Sequence, residues 1–197
     1  MEALRTRKYR ITFIEPLLGT VPKDPKIFTR FVSAKVHGEE DEGMANEELE
    51  MLPEGVGETG FYSDESGIYL MDYQVKGGFK EWANILKDAL NVRNFRSKVD
   101  NYVFIEPRKI YLGPQPDGRL ERPLRAQTMQ GPRVTLVSSD FVKAGTSIEF
   151  TVTILPHKQL NFDVIERLLD YGRYKGLGQW RNGGFGRFVW ERVNGRR

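Results

Sequence analysis

From Ser147 to Leu155 the chain alternates apolar and polar side chains, with Ile148, Phe150, Val152 and Ile154 falling on one side. Asn161 then opens a stretch in which Phe162, Val164, Ile165, Leu168 and Leu169 recur at helical spacing, and Gly172 stands where a C-terminal glycine belongs. A period of two followed at once by a period of 3.6 specifies a strand and then an amphipathic helix. Any fold for this chain must therefore mix the two elements.

The same signals recur elsewhere. Lys8 to Glu15 alternates Tyr9, Ile11 and Phe13 against polar neighbours and reads as a strand. Asp24-Pro25 opens a short amphipathic helix with Phe28, Phe31 and Val32, and Asn46 to Met51 has room for one helical turn. Ile68 to Val75 is strand-like, after which Lys76-Gly77-Gly78 opens a helix from Phe79 to Leu90 with Trp82, Ala83 and Leu86 on its buried side. Tyr102 to Ile105, Lys109 to Leu112, Arg133 to Val137 and Phe185 to Val193 read as further strands. Gly113 to Pro132, with four prolines and three arginines, reads as a long thumb-like loop. The main elements run strand, helix, strand, strand, helix, strand. That order predicts an α+β, ferredoxin-like (RRM-like) split βαββαβ fold, an antiparallel sheet backed by two helices. Residues 1–197 are expected to form a single domain, with 19–67 inserted after the first strand.

Charge divides the chain. Of the 27 acidic residues, twelve lie between Val36 and Val75, a stretch without Lys or Arg; the other 157 residues hold all 30 basic side chains against 15 acidic ones. A body that basic attracts polyanions, of which nucleic acid is the usual one. The acidic stretch is expected to fold over the basic body and compete with an anionic ligand.

The densest signal is Tyr171 to Arg187, YGRYKGLGQWRNGGFGR. Gly176, Gly178, Gly184 and Gly186 are mixed with Arg173, Lys175, Arg181 and Arg187 and with Tyr174, Trp180 and Phe185. Glycine lets backbone N–H groups converge on phosphate, guanidinium groups add bidentate contacts, and aromatic faces stack bases. The run follows a helix and precedes a strand, the reverse of a dinucleotide-binding turn, and has no Gly-Lys-Ser/Thr ending.

The sequence also excludes function classes. With no cysteine there are no disulfides, thiolate nucleophiles or Cys-ligated metals, which suits a reducing cytosol. Neither a signal peptide nor a bilayer span is readable, so a cytoplasmic location without membrane contact is expected. His37 and His157 have no evident partner nucleophile, and Glu39 to Glu42 lacks the ligand spacing of a cation loop. No catalytic residue, metal or cofactor is expected.

The C-terminal turn resembles the RAMP superfamily of CRISPR-associated proteins, whose glycine-rich loop precedes the final strand in the style of Gly176 to Arg187. Val75 to Lys80 is similar to the helix-opening stretch that contacts guide RNA in backbone subunits, and Ala144-Gly145-Thr146 before Ser147 is similar to a Gly-Thr-strand pattern of the same group. The resemblance implies a ferredoxin-like RNA-binding subunit of a ribonucleoprotein in antiviral defence, packing head to tail along the strand. On that reading Lys76, Lys80, Arg173, Lys175, Arg181 and Arg187 contact phosphates, with Trp180 or Tyr174 against bases. Arg119, Arg122 and Arg125 project from the thumb. The serines of the helix-opening motif and the aspartate of RNA-cleaving subunits have no counterpart here.

The leading expectation is thus a non-catalytic protein that binds single-stranded RNA or DNA, RNA ahead of DNA. A second is a metal-independent endoribonuclease using His37 or His157 with a nearby Lys or Tyr. A third is a phage-type structural or protein-interaction component.

Overall fold

The computed structural model describes residues 4–24, 57–128 and 131–193, with the side chains of 124–135 outside the description. Expectations for the helix after Asp24, for His37, for Glu39 to Glu42 and for Asn46 to Met51 lie outside the described residues.

The elements are Arg5–Phe13 (β1), Leu17–Leu18 (β2), Val21–Pro22 (β3), Gly57–Gly60 (β4), Tyr62–Asp64 (β5), Gly67–Met71 (β6) and Asp72–Leu86 (α1). Then follow Phe95–Tyr102 (α2), Val103–Glu106 (β7), Lys109–Gly113 (β8), Gly118–Thr128 (β9), Gly131–Val142 (β10), Ser147–Ile154 (β11), Phe162–Lys175 (α3) and Phe188–Val193 (β12), with a 3-10 turn at Arg181–Gly183. The class is mixed α+β, with three α-helices among the described residues.

The main sheet has the order β12-β1-β11-β7, every neighbour antiparallel. Alternation dictates its two faces. Tyr9, Ile11 and Phe13 on β1 and Ile148, Phe150, Val152 and Ile154 on β11 are buried, and the register sets Tyr9 opposite Phe150 and Ile11 opposite Ile148. This face receives α1 through Val75, Phe79, Trp82 and Ala83, and α3 through Ile165, Leu168 and Leu169. The Phe79 ring meets Phe150 at 6.3 Å and the Trp82 ring meets Phe188 at 5.9 Å. Burying each such side chain stabilises by about 1.5–3 kcal/mol.

The other residues of the same strands turn outward and form a charge ladder. Arg10 donates through Nε to Glu149 at 2.9 Å and through Nη1 to Glu191 at 2.7 Å, while Lys8 pairs with Glu149 and the Thr12 and Ser147 hydroxyls share a 2.7 Å hydrogen bond. No aromatic ring stands on this face of β1 or β11. An RRM stacks bases on aromatics of its central strands; here the central strands offer none.

A second sheet orders β2-β10-β4-β3 with β9 along the other edge of β10, and a third orders β5-β6-β8.

Several local expectations need correction. The helix after β6 starts at Asp72, not at Phe79, so Lys76, Gly77 and Gly78 lie inside it. The Gln74 Oε1 accepts the Met71 N–H at 2.8 Å, and this early start puts Val75 on the buried stripe with Phe79 and Trp82. The helix ends at Leu86, short of Leu90. Gly113 to Pro132 is not a long loop: from Gly118 it is strand β9, paired with β10 in unbroken register through Pro123 opposite Leu136. Pro123 is tolerated because β9 has a partner on one side only. The final strand begins at Phe188, and Phe185 belongs to the preceding turn. Gly172 does not end α3. It lies within the helix where a Cβ would fall 2.6 Å from the Trp82 indole, and the helix is closed by Gly176.

Candidate nucleic-acid interface

The glycine-rich run is anchored at both ends. Asn161 Oδ1 accepts the Val164 N–H at 2.9 Å and starts α3, whose last turn carries Arg173 and Lys175. Gly176, at φ +80°, turns the chain out of the helix. The loop then folds back on itself and on the corner between β1 and β2: Leu177 N–H donates to Gly186 O at 3.0 Å, Gly186 N–H to Pro16 O at 2.9 Å and Ile14 N–H to Arg187 O at 2.9 Å. Any side chain on Gly186 would collide with the Leu177 carbonyl, and one on Gly178 with the Leu18 carbonyl.

These contacts define what the glycines do. The N–H groups of Gly176, Gly184 and Gly186 donate to the carbonyls of Gly172, Arg181 and Pro16. They are engaged within the fold rather than converging on an open anion nest.

The aromatic and cationic side chains fall into two groups joined by α1. In the first, Lys175 lies 3.7 Å from Glu81 and Arg181 is paired with the same carboxylate. Beside them Trp180 is 42% exposed, stacks on Phe185 with centroids 5.0 Å apart and planes 12° apart, and covers the Arg122 guanidinium at 5.0 Å. Arg187 borders an open cleft with Glu15, Asn182, Gly183, Gly184 and Phe185, and no carboxylate among the described residues pairs with it. In the second group Lys76 and Lys80 share Asp100, at 3.6 and 3.5 Å. Lys76 also donates to the Asp100 carbonyl at 2.7 Å and lies over the Phe104 ring at 4.8 Å.

The remaining expected contacts are dispersed. Arg173 lies over the ring of Tyr174, which is 67% exposed on the outer face of α3. On β9, Arg119 pairs with Glu58 and donates from Nε to Ser138 at 2.8 Å. Arg122 is buried, and burial pulls its guanidinium below the usual value. Arg125 has its backbone in β9, opposite Val134, and its side chain is outside the description.

Sequence reasoning missed Glu81, Asp100 and Gln179. Glu81 and Arg181 are a hundred residues apart, and no local pattern announces such a pair. Gln179 Oε1 accepts from Arg122 at 2.9 Å, from Ser139 at 3.2 Å and from Thr59 at 3.3 Å, stitching the turn to the second sheet. Three described acids of the Val36 to Val75 stretch pair with cations of the basic body: Glu58 with Arg119, Asp64 with Lys109 at 2.6 Å and Asp72 with Arg108 at 3.9 Å.

His157 is a turn residue. Its Nδ1 accepts the Gln159 N–H at 3.0 Å and its ring rests 4.7 Å from Tyr102. Among the described residues, no cluster of three or more His, Asp or Glu is disposed to hold a metal ion, and no helix is long and apolar enough to cross a membrane.

No family model matches the chain, and no curated protein is significantly similar to it. Among solved structures it is similar to a chain of the type III-B Cmr-beta complex bound to cognate target RNA, at 12% identity and TM-score 0.48, over 97% of this chain and 59% of that one. It is also similar to a chain of a type IV-B CRISPR complex, at 8% identity and TM-score 0.49, over 96% and 90%. The chain thus spans about three fifths of the first of these. Both likenesses stay below a TM-score of 0.5.

Proposed function

We propose that this protein binds single-stranded nucleic acid, RNA ahead of DNA, without cleaving it, as a RAMP-like subunit of a ribonucleoprotein. The strand order β12-β1-β11-β7, fourth-first-third-second in chain order, is read here as the ferredoxin-like arrangement. The interface is the turn from Lys175 to Arg187 together with the adjoining face of β9. The single observation that carries this reading is the surface at Trp180: a half-exposed indole stacked on Phe185, with Arg122 beneath it and Arg181, Lys175 and Arg187 in the same turn. Stacking platforms set among cations hold single strands without reading sequence. The outward face of the main sheet, closed by its Lys8–Glu149–Arg10–Glu191 ladder, takes no part.

Titration of fluorescent single-stranded RNA, single-stranded DNA and duplex over a salt series tests the proposal. It requires single strands to bind ahead of duplex, with log affinity falling by about 0.7 per neutralised phosphate for each decade of salt. Equal binding of duplex, or no binding at low salt, removes it.

A further inference from the structure

Arg122 is a cation that the fold leaves short of partners. The residue is 7% exposed. Its Nη2 reaches Gln179 Oε1 at 2.9 Å, but that oxygen also serves Ser139 and Thr59. The Nε and Nη1 atoms are sealed from solvent and have no acceptor. Among the described residues no carboxylate forms an ion pair with it. Buried guanidinium groups are ordinarily held by a carboxylate, and an unfilled buried donor calls for an explanation.

The cover over Arg122 is itself held under strain. Trp180 adopts φ +51° and ψ +38°, a left-handed conformation that bulky side chains rarely take. Its indole fills the space over Gly183, where a Cβ would fall 2.9 Å from the ring, and lies on the guanidinium at 5.0 Å, stacked also on Phe185 and 42% exposed. A strained, half-exposed ring thus covers unfilled donors.

We infer that Arg122 is a phosphate-binding residue kept beneath Trp180, and that a phosphodiester reaches it by displacing the indole, which then stacks on the adjoining base. A phosphodiester offers several acceptor oxygens to the empty Nε and Nη1 donors and brings the base that the displaced ring requires. The inference rests on reading this turn as the nucleic-acid interface, and it deepens that reading by naming an order of events.

Two probes on the full chain test it, inorganic pyrophosphate and a uridine decamer, each by calorimetry. Trp180→Ala removes the cover and the stacking surface together. It is expected to tighten pyrophosphate binding about tenfold and to weaken decamer binding by a similar factor, opposite signs that a general loss of structure does not produce. Adding Arg122→Gln is expected to abolish the pyrophosphate gain. Arg122→Met, which removes the unfilled donors, is expected to melt no lower than the wild type while losing decamer affinity. Absence of the pyrophosphate gain, a gain that survives Arg122→Gln, or a marked drop in the melting temperature of Arg122→Met each overturns the inference. The pyrophosphate arm needs no oligonucleotide, so a gain there beside a wild type that ignores the decamer supports the phosphate site and removes the nucleic-acid reading alone.

Discussion

The Arg181 guanidinium rests on the carboxylate of Glu81, the residue that follows Lys80 on α1, and Lys80 shares Asp100 with Lys76. Lys175 approaches the same carboxylate, so one acid holds two of the cations that the turn would present to a polyanion. An internal carboxylate and an external phosphate compete for the same donors.

Glu81→Gln should therefore tighten binding of single-stranded RNA. Partly exposed ion pairs are worth up to about 1 kcal/mol, which corresponds to roughly a fivefold gain in affinity. Fluorescence anisotropy at fixed salt reads the change. Weaker binding by the variant would mean that Glu81 organises the turn rather than competing for it.

Gly172→Ala should destabilise the fold, against the ordinary preference of helices for alanine. Helix propensity favours the substitution by about 1 kcal/mol. The new methyl group, however, would stand 2.6 Å from the indole of Trp82, which is fully buried and has no space to retreat. Overpacking of that kind costs about 1–3 kcal/mol, so the net change is a loss, readable from urea unfolding midpoints.

Glu166 ties α3 to the sheet. Its carboxylate accepts from Arg7 at 2.7 Å, from Tyr9 at 3.0 Å and from Arg192 Nε at 2.7 Å. Burial raises its pKa, but the hydrogen bonds from Arg192, Arg7 and Tyr9 outweigh that and hold the carboxyl below its ordinary value. An acid depressed on folding contributes stability above its unfolded pKa of about 4.3 and loses it as pH falls through the lower folded value. The stability difference between wild type and Glu166→Gln should hold from pH 7 to about 5 and shrink below about pH 4. Thermal melts across that range check it. Glu166→Ala at pH 7 should cost about 2 kcal/mol, chiefly because the buried Tyr9 hydroxyl loses its acceptor while Arg7 and Arg192 stay partly solvated.

Much of the framework is legible in the residues themselves. The alternation of Ile148, Phe150, Val152 and Ile154 and the Asn161 cap appear in the structure where the sequence puts them, because period and capping are local physics. The start of α1 is not legible: Tyr73, Gln74 and Val75 read as strand until the Gln74 side chain is seen to satisfy the Met71 N–H. Prolines hide β9, since Pro123 is compatible with a strand only at an edge and edges are decided by topology. At the candidate site the glycines, cations and aromatics are readable as types. Their partners are not, because Glu81 lies a hundred residues from Arg181, Asp100 lies beyond the helix that carries Lys76 and Lys80, and Gln179 of the run meets Arg122 from a strand far back in the chain.

On the proposed reading, Arg181 and Arg187 meet phosphates at the turn. The direct measurement is the salt dependence of single-stranded RNA binding for the wild type and for Arg181→Ala combined with Arg187→Ala. Two lost phosphate contacts should make the slope of log affinity against log salt shallower by about 1.4. A slope that the double substitution leaves unchanged would contradict the account.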